Sequence, residues 1–385
     1  MNNVFGEFYN GKRILVTGHT GFKGSWLTEW LLMMGAKVTG LALPPPTVPA
    51  LFDQLGLANR CDHRIGDIRD RDLVRRVVHE VRPDLVFHLA AQPLVRLSYS
   101  QPIETYETNV MGTAYVLDAL RDADWPCAAV MITTDKVYEN KEKEHAYQET
   151  DPLGGYDPYS SSKACAELVI QSYRNSFFNP ARLQERISRE VPKGEKRKGL
   201  VAVASARAGN VIGGGDWALD RIVPDCMRAL ARGEAIAVRN PNSTRPWQHV
   251  LEPLSGYLLL GMKLHGGFAS DIPRLTSYAA PFNFGPSLSS NRSVSSLVEE
   301  ILRHWAGRWV DRSDPKALHE AALLHLATDK ACHILGWNPR WDFPRTLAET
   351  VLWYRKVHEG GGNVARELTQ VQITRYVSEG VPSTF

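Results

Sequence analysis

Arg13-Ile14-Leu15-Val16-Thr17-Gly18-His19-Thr20-Gly21-Phe22-Lys23-Gly24 is the stretch on which the reading of this chain turns. A short apolar run leads into three glycines spaced three apart, and a helical pattern follows from about Phe22 to Met34. Gly18 predicts a tight turn, Gly21 a bare backbone that can approach a pyrophosphate, and Gly24 a close packing of helix on strand. The unpaired N–H groups at the helix start suit an anion. A glycine triplet alone also describes a plain tight turn; its place after the first strand of an alternating chain selects a dinucleotide site. The candidate cofactor residues there are Gly18, His19, Thr20, Gly21, Phe22, Lys23 and Gly24.

Working outward, further apolar runs at Lys37 to Ala42, Leu85 to Leu89, Ala128 to Thr133 and Leu200 to Ala206 read as buried strands. Helical patterns at about Asp70 to Val81, Ile103 to Arg121 and Tyr159 to Asn175 alternate with them. This is the pattern of an α/β fold: a doubly wound parallel sheet, Rossmann-like, beside a smaller mixed C-terminal lobe. Residues 1–206 are expected to form the cofactor domain and 207–385 the substrate lobe, with a soft boundary and some C-terminal segments returning to the sheet. Gly213-Gly214-Gly215, Pro224, Pro241, Pro246, Pro253 and Pro286 break the later chain into short elements. One helix is expected from near Ser296, with Glu299 closing a capping box, and another from Phe343 to Val357. Their Trp305 and Trp353 read as core anchors.

Composition narrows the class. With 385 residues, 43% hydrophobic and 23% charged, a disordered or fibrous chain is excluded. Five scattered cysteines without a CxxC pair fit a reducing compartment and offer no metal site. The most apolar stretch, Trp26 to Leu43, carries Glu29 and Lys37, so no membrane span is expected, and the N-terminus lacks a secretory pattern, which points to the cytoplasm. Arg182 to Lys198 holds seven Lys or Arg and accounts for the formal charge of +3. Without interleaved aromatics it reads as a solvated loop rather than a nucleic-acid surface.

The chemistry-bearing residues lie at two further places. Tyr159 has Lys163 four positions on, which puts both on one helix face. A phenol has an ordinary pKa of ~10, and a neighbouring ammonium together with a cationic nicotinamide would favour phenolate, making Tyr159 a workable base; the other reading is a surface pair. Thr133-Thr134-Asp135-Lys136 ends a strand at the edge where ligands collect in open sheets. Gly40 to Leu43, at the end of the second strand, offers neither an acid for an adenosine ribose nor an arginine for a 2′-phosphate, and NAD is the cofactor expected. Asp67 would either contact the adenine edge or cap the helix of Asp70 to Val81.

TGHTGFKG at 17–24, HLAAQ at 88–92, Asn109-Val110-Met111-Gly112-Thr113, TTDKVY at 133–138 and YSSSK at 159–163 resemble the extended short-chain dehydrogenase/reductase family along nearly the whole chain. His19, Lys23, Pro44 to Pro46, Gln92 to Arg96, Thr134-Asp135-Lys136 and Gly213 to Trp217 look like its nucleotide-sugar 4,6-dehydratases acting on CDP-glucose. Sister dehydratases for dTDP-glucose or GDP-mannose show Asp-Glu where this chain has Asp135-Lys136. The resemblance implies NAD contacts that include Asp67, Ile68, Leu89, Ala90, Ala91, Gln92 and Thr133, and diphosphate contacts from Asn210 and Arg245. Arg221 is a further candidate for the diphosphate. For it, Arg245 and Arg292, a plain salt bridge is the competing role.

The same resemblance implies an internal redox cycle. Tyr159 takes the 4-hydroxyl proton as hydride leaves C4 for NAD, Lys163 lowers the phenol pKa, and Thr134 bonds the same sugar oxygen. The 4-keto group then acidifies C5; Asp135 serves as acid to the departing 6-hydroxyl, and Lys136 either removes the C5 proton or only stabilises the enolate. Also implied are a homodimer or higher homo-oligomer through the helices at 103–121 and 159–175, and a place in deoxysugar and lipopolysaccharide biosynthesis. Another nucleotide-sugar dehydratase, an epimerase, or a cofactor-binding protein without catalysis are the alternatives.

Overall fold

The apolar runs of the first half are drawn into one parallel sheet in the computed structural model, which describes residues 5–141, 145–183, 200–270, 272–313, 324–360 and 363–379. Its strands are β1 Arg13–Thr17, β2 Lys37–Ala42, β3 Asp62–Ile65, β4 Leu85–His88, β5 Cys127–Ile132, β6 Val201–Arg207 and β7 Pro281–Asn283, in the order β7-β6-β5-β4-β1-β2-β3. The order reverses between β1 and β4, which opens a crevice at their carboxyl ends. Thr17 is in register with Leu41 and His88, and Ile132 with Ala206, so these ends lie in one row.

Successive side chains of each strand go to opposite faces, and both faces are covered. Ile14, Val16, Phe87 and Val130 join Trp26 and Trp30 of helix α1 (Phe22–Met33) in one core layer. Leu15, Val86, Ala129 and Met131 face α2 (Arg71–Val81) and α3 (Gly112–Arg121) in the other. Fully burying such a side chain contributes about 1.5–3 kcal/mol, so these two layers fix the sheet before any polar contact is counted. The helix that carries Tyr159 and Lys163, α4 (Pro158–Ser176), sends Ile170 into the second layer, and α5 (Leu251–Ser270) sends Leu254 and Leu258 into the first.

Several expectations are met to within a residue, and others are corrected. The edge strand β3 reads Asp-His-Arg-Ile, with no apolar run to announce it. β7 is only three residues long and begins with proline, yet it pairs with β6 and brings the chain beyond residue 207 back to the sheet. The helix expected over 103–121 is broken into Pro102–Tyr106, a π turn at Glu107–Met111, and α3, because Asn109 turns its amide to Gln92 and Ser162. A π turn of this kind often marks a functional region. The helix expected near Ser296 begins at Val294, and Ser293, not Ser296, caps it by accepting from the Ser296 amide at 3.1 Å. Trp353 is fully buried and Trp305 packs on the core. Most of the basic stretch at 182–198 lies outside the described residues. Among the described residues no helix is long and apolar enough to cross a membrane.

Beyond β6 the chain forms small ladders: Thr244–Pro246 against Asn291–Ser293, Gln248–His249 beside Val211–Ile212, and Trp309–Asp311 beside Ile236–Val238.

The glycine turn locks α1 to the sheet. A Cβ at Gly24 would stand 2.1 Å from the Gly18 carbonyl oxygen and 2.7 Å from the His19 Cα, and backbone cannot move aside. At Gly56, with φ +62°, a Cβ would meet nothing within 4 Å. Gly56→Ala is therefore expected to cost only about 1–2 kcal/mol of left-handed strain. Gly24→Ala should melt well below it, or fail to accumulate folded, when the two are compared by thermal unfolding.

Candidate active site

The floor of the crevice is the β1–α1 turn. Gly18 takes φ +77°, and a Cβ there would press to 2.7 Å from the Ala90 amide nitrogen, so the turn lies directly against the segment after β4. Leu89 N–H donates to the Thr17 carbonyl at 3.1 Å and Ala90 N–H to Thr17 Oγ1 at 3.3 Å, while Thr20 Oγ1 donates to the Leu43 carbonyl at 2.9 Å. Gly21 is the helix N-cap; no side chain caps the helix, and its first turn carries no acid. A Cβ at Gly21 would meet only the Gly18 oxygen, at an ordinary 3.4 Å. The protein's own packing thus explains Gly18 and Gly24 but not Gly21. A bare, uncapped helix start is what a dinucleotide pyrophosphate fits.

The candidate cofactor residues divide. The His19 ring turns back onto Gly40 of β2, with Nε2 2.7 Å from His63 Nδ1, and burial followed by His63 lowers its pKa to about 4. Its side chain serves the sheet. Gln92 folds its own loop, accepting from Leu94 N–H and donating to Thr105 Oγ1 at 2.9 Å. Asp67 does not cap α2: Asp70 does, and Asp67 accepts from the Arg69 amide and guanidinium. Ile68 is buried against Gly112. Lys23, in the first turn of α1, feels Arg221, Asp135 and Asp216, and burial with Arg221 lowers its pKa to about 8.

The carboxyl end of β5 supplies the reactive groups. After Thr133 the chain enters a single 3₁₀ turn, Asp135–Val137, capped by Thr134, whose Oγ1 donates to Asp135 Oδ1 at 2.9 Å. Asp135 is buried on the bare backbone of Gly209, where a Cβ would fall 1.8 Å from Oδ2. The next residue, Asn210, adopts φ +48° and extends Nδ2 to Asp135 Oδ2 at 3.4 Å. Asp157 caps α4 through the Ser160 amide, and Ser98 Oγ accepts from the Tyr159 amide, which seats Tyr159 and Lys163 in the buried first turns.

Burial pushes the Tyr159 phenol up to about 12; a hydrogen bond with Thr134 opposes that rise, Asp135 adds to it, and Arg221 opposes it. Lys163 Nζ donates to the Ile132 carbonyl at 3.4 Å, and Arg221 is a cation that acts on the phenol. Burial, then Lys23, lowers Lys163 itself to about 8. Arg221 is held by Asp216 at 2.8 Å, so the salt bridge and a place beside Tyr159 are both realised. Lys136 is half-buried at the same turn. Arg245 lies on the Thr244–Pro246 ladder, in register with Arg292.

The cluster therefore joins Thr134, Asp135, Tyr159, Lys163, Lys23, Asn210 and Arg221 at one sheet edge. Sequence reasoning passed over three residues that support it. Gly209 was not singled out, and Asn109 and Asp216 stood only within stretches that carry a resemblance. Asn109 links the Gln92 loop to Ser162, next to Lys163, with Nδ2 2.8 Å from Ser162 Oγ.

Comparison with known proteins places this geometry among its relatives. The family model described as GDP-mannose 4,6 dehydratase matches residues 15–259. A CDP-glucose 4,6-dehydratase of Salmonella typhimurium strain LT2 is 47% identical over 351 residues, which are 91% of this chain and 92% of that protein. The crystal structure of DesIV, a dTDP-glucose 4,6-dehydratase from Streptomyces venezuelae, is similar at TM-score 0.70 and 25% identity, over 89% of this chain and 97% of that one. An epimerase from Methanothermobacter thermautotrophicus has the same fold at TM-score 0.72 and 22% identity, over 94% of this chain and 97% of that one.

Since the protein itself makes no use of the missing Cβ at residue 21, Gly21→Ala is expected to fold with an unchanged melting temperature. It should weaken binding of NAD by at least ~10-fold in calorimetric titration, because a methyl group then stands where the pyrophosphate meets the backbone.

Proposed function

The chain belongs to the GDP-mannose 4,6-dehydratase family of extended short-chain dehydrogenases/reductases, and on that basis we propose that it converts CDP-glucose to CDP-4-keto-6-deoxyglucose and water with NAD as resident cofactor. The observation that carries the reading is the convergence of a buried carboxyl, Asp135, and a buried phenol, Tyr159, on one threonine, Thr134, beside the uncapped glycine turn. The 47% identity to a CDP-glucose enzyme and the Asp135-Lys136 pair support the cytidine-linked substrate.

The bare turn at Gly18, Gly21 and Gly24, with Lys163 and Thr133, would hold NAD. When bound, NAD supplies a reversible hydride acceptor. The chain's own residues then have three tasks. Tyr159 and Thr134 hold the 4-oxygen of the hexose, and Tyr159 accepts its proton once positive charge beside the phenol offsets the burial that raises its pKa. Asp135, pressed on Gly209, donates a proton to the departing 6-hydroxyl. Lys136, on the same turn, removes the C5 proton. Asn210, Arg221 and Arg245 give the later chain donors for the diphosphate, so that residues after 207 act as the substrate lobe.

Exposed Ile103, Met111 and Leu168, 65%, 44% and 53% accessible, run along the helices expected to pair in a homodimer. That dimer, a cytoplasmic site of action and a supply of deoxysugar to lipopolysaccharide belong to the same proposal. Met111→Arg with Leu168→Arg is expected to turn a dimer into a monomer in sedimentation velocity; an unchanged sedimentation coefficient rejects this interface.

Incubation with CDP-glucose and NAD should yield a 4-keto-6-deoxy sugar with no lasting NADH absorbance, and turnover of dTDP, UDP or GDP hexoses should be slower. Tyr159→Phe is expected to lose ~10²–10⁴ of kcat. Gly209→Ala, which displaces the Asp135 carboxyl, should lose ~10²-fold while the fold is retained. Steady accumulation of NADH, or a C4 epimer as product, would reject the dehydratase.

A further inference from the structure

Behind the reactive turn lies a second set of buried charges to which the mechanism assigns no task. Glu167 stands one helical turn after Lys163 on α4, and 3% of its surface is accessible. One carboxylate oxygen accepts from Thr133 Oγ1 at 2.5 Å; the other accepts from Ser205 Oγ at 2.8 Å and from the Arg207 guanidinium at 2.9 Å. Arg207 also donates to the Tyr138 hydroxyl at 2.8 Å, and Tyr138 donates to Asn283 Oδ1 at 2.7 Å. A single carboxylate thus ties α4 to β5 and β6, and through Arg207 and Tyr138 to β7.

Simple structural use does not account for this placement. A buried ion pair carries a heavy desolvation cost, and an apolar pair of equal volume often serves stability as well or better. What an apolar pair could not do is fix Thr133 by a charged hydrogen bond, one residue before Thr134, while setting a negative charge close to Lys163. We propose that Glu167 is the positioning residue of this site: clamped by Arg207 and Ser205, it registers the Thr133-Thr134-Asp135 strand end against Tyr159 and supplies the counter-charge of the Lys163 ammonium. The inference rests on the dehydratase reading and names a residue outside its substrate contacts.

Three groups around Lys163 bear on its charge. Lys23 on α1 opposes its protonation, Glu167 on α4 favours it, and His88 on β4 is neutral, since burial holds its pKa low. Arg207 on β6 and Arg174 further along α4 act on Glu167. Burial works against the ionised forms of Glu167 and Arg207, and each holds the other charged. The sign then follows. Removing the Glu167 charge takes away an influence that raises the Lys163 pKa, so Lys163 loses its proton at lower pH.

Three variants test this. Glu167→Gln with Arg207→Gln removes both charges, so no uncompensated ion is left in the core. It should lower kcat at least ~10-fold, leave KM for CDP-glucose within about two-fold, and move the alkaline limb of kcat/KM to lower pH. Thr133→Val should lower kcat and leave that limb in place, and Glu167→Asp should restore part of the shift. Folded variants, checked by circular dichroism, with wild-type kcat and an unmoved limb would overturn the proposal, as would a change confined to KM. The Lys163 titration is also followed directly, by ¹³C NMR of labelled lysine assigned with Lys163→Arg. If the wild-type protein forms no keto sugar, the functional reading fails, while an unchanged Lys163 titration in the double variant still rejects the role of Glu167.

Discussion

The carboxyl edge of the sheet packs more ionised groups than its solvent access would normally allow, and their mutual compensation is what the site depends on. Lys23, Lys163, Arg207 and Arg221 meet Asp135, Glu167 and Asp216 within a region that the core layers close from below. Burial acts against every one of these charges. Two close pairs, Glu167 with Arg207 and Asp216 with Arg221, remove most of that cost for four of them. Lys23 and Lys163 are left in a looser arrangement, and burial lowers both of their pKa values to about 8, a range useful near neutral pH. Paired groups build the scaffold, and incompletely paired ones are left able to react.

That division explains why the fold was more legible than the site. Ile14, Val16, Phe87 and Val130 declare themselves as apolar runs, because strands covered on both faces have no other composition available to them. β3 and β7 escaped the same reading for physical reasons: one is a polar edge, and the other is three residues long and is held by pairing with β6. In the site, Tyr159 and Lys163 were visible through helical spacing and Thr134 to Lys136 through their place at a strand end. Their relation was not. One-turn spacing suggested that the ammonium serves the phenol, and it gave no sign that Lys163 also donates to the Ile132 carbonyl or that Arg221, some sixty residues further along the chain, acts on Tyr159. Sequence spacing reports which residues share a helix face; it carries no record of what a distant loop brings to that face.

The glycines show the same limit from another side. Gly18, Gly21 and Gly24 form one motif in the sequence, yet three different constraints act on them. Gly18 needs a left-handed backbone under Ala90, Gly24 yields to the Gly18 carbonyl, and Gly21 is free of both. Gly209 belongs to no motif and is as restricted as any, since the Asp135 carboxylate occupies the volume of its missing side chain. A carboxyl pressed on bare backbone has few alternative positions, so its direction is set by packing rather than by its own rotamer preference. This is how an acid can be aimed without spending a second charged group to hold it.

The raised pKa of Tyr159 ties these features together. A phenol buried beside a carboxyl is a poor base, and neither Thr134 nor Arg221 outweighs that burial. Basicity of the required kind therefore depends on further positive charge at the crevice, next to the uncapped start of α1. Under the proposed function, a bound oxidised nicotinamide would supply that charge, and Tyr159 would then accept the 4-hydroxyl proton. The same desolvation that makes the residue look unsuited to its role would then hold the transferred proton on Tyr159.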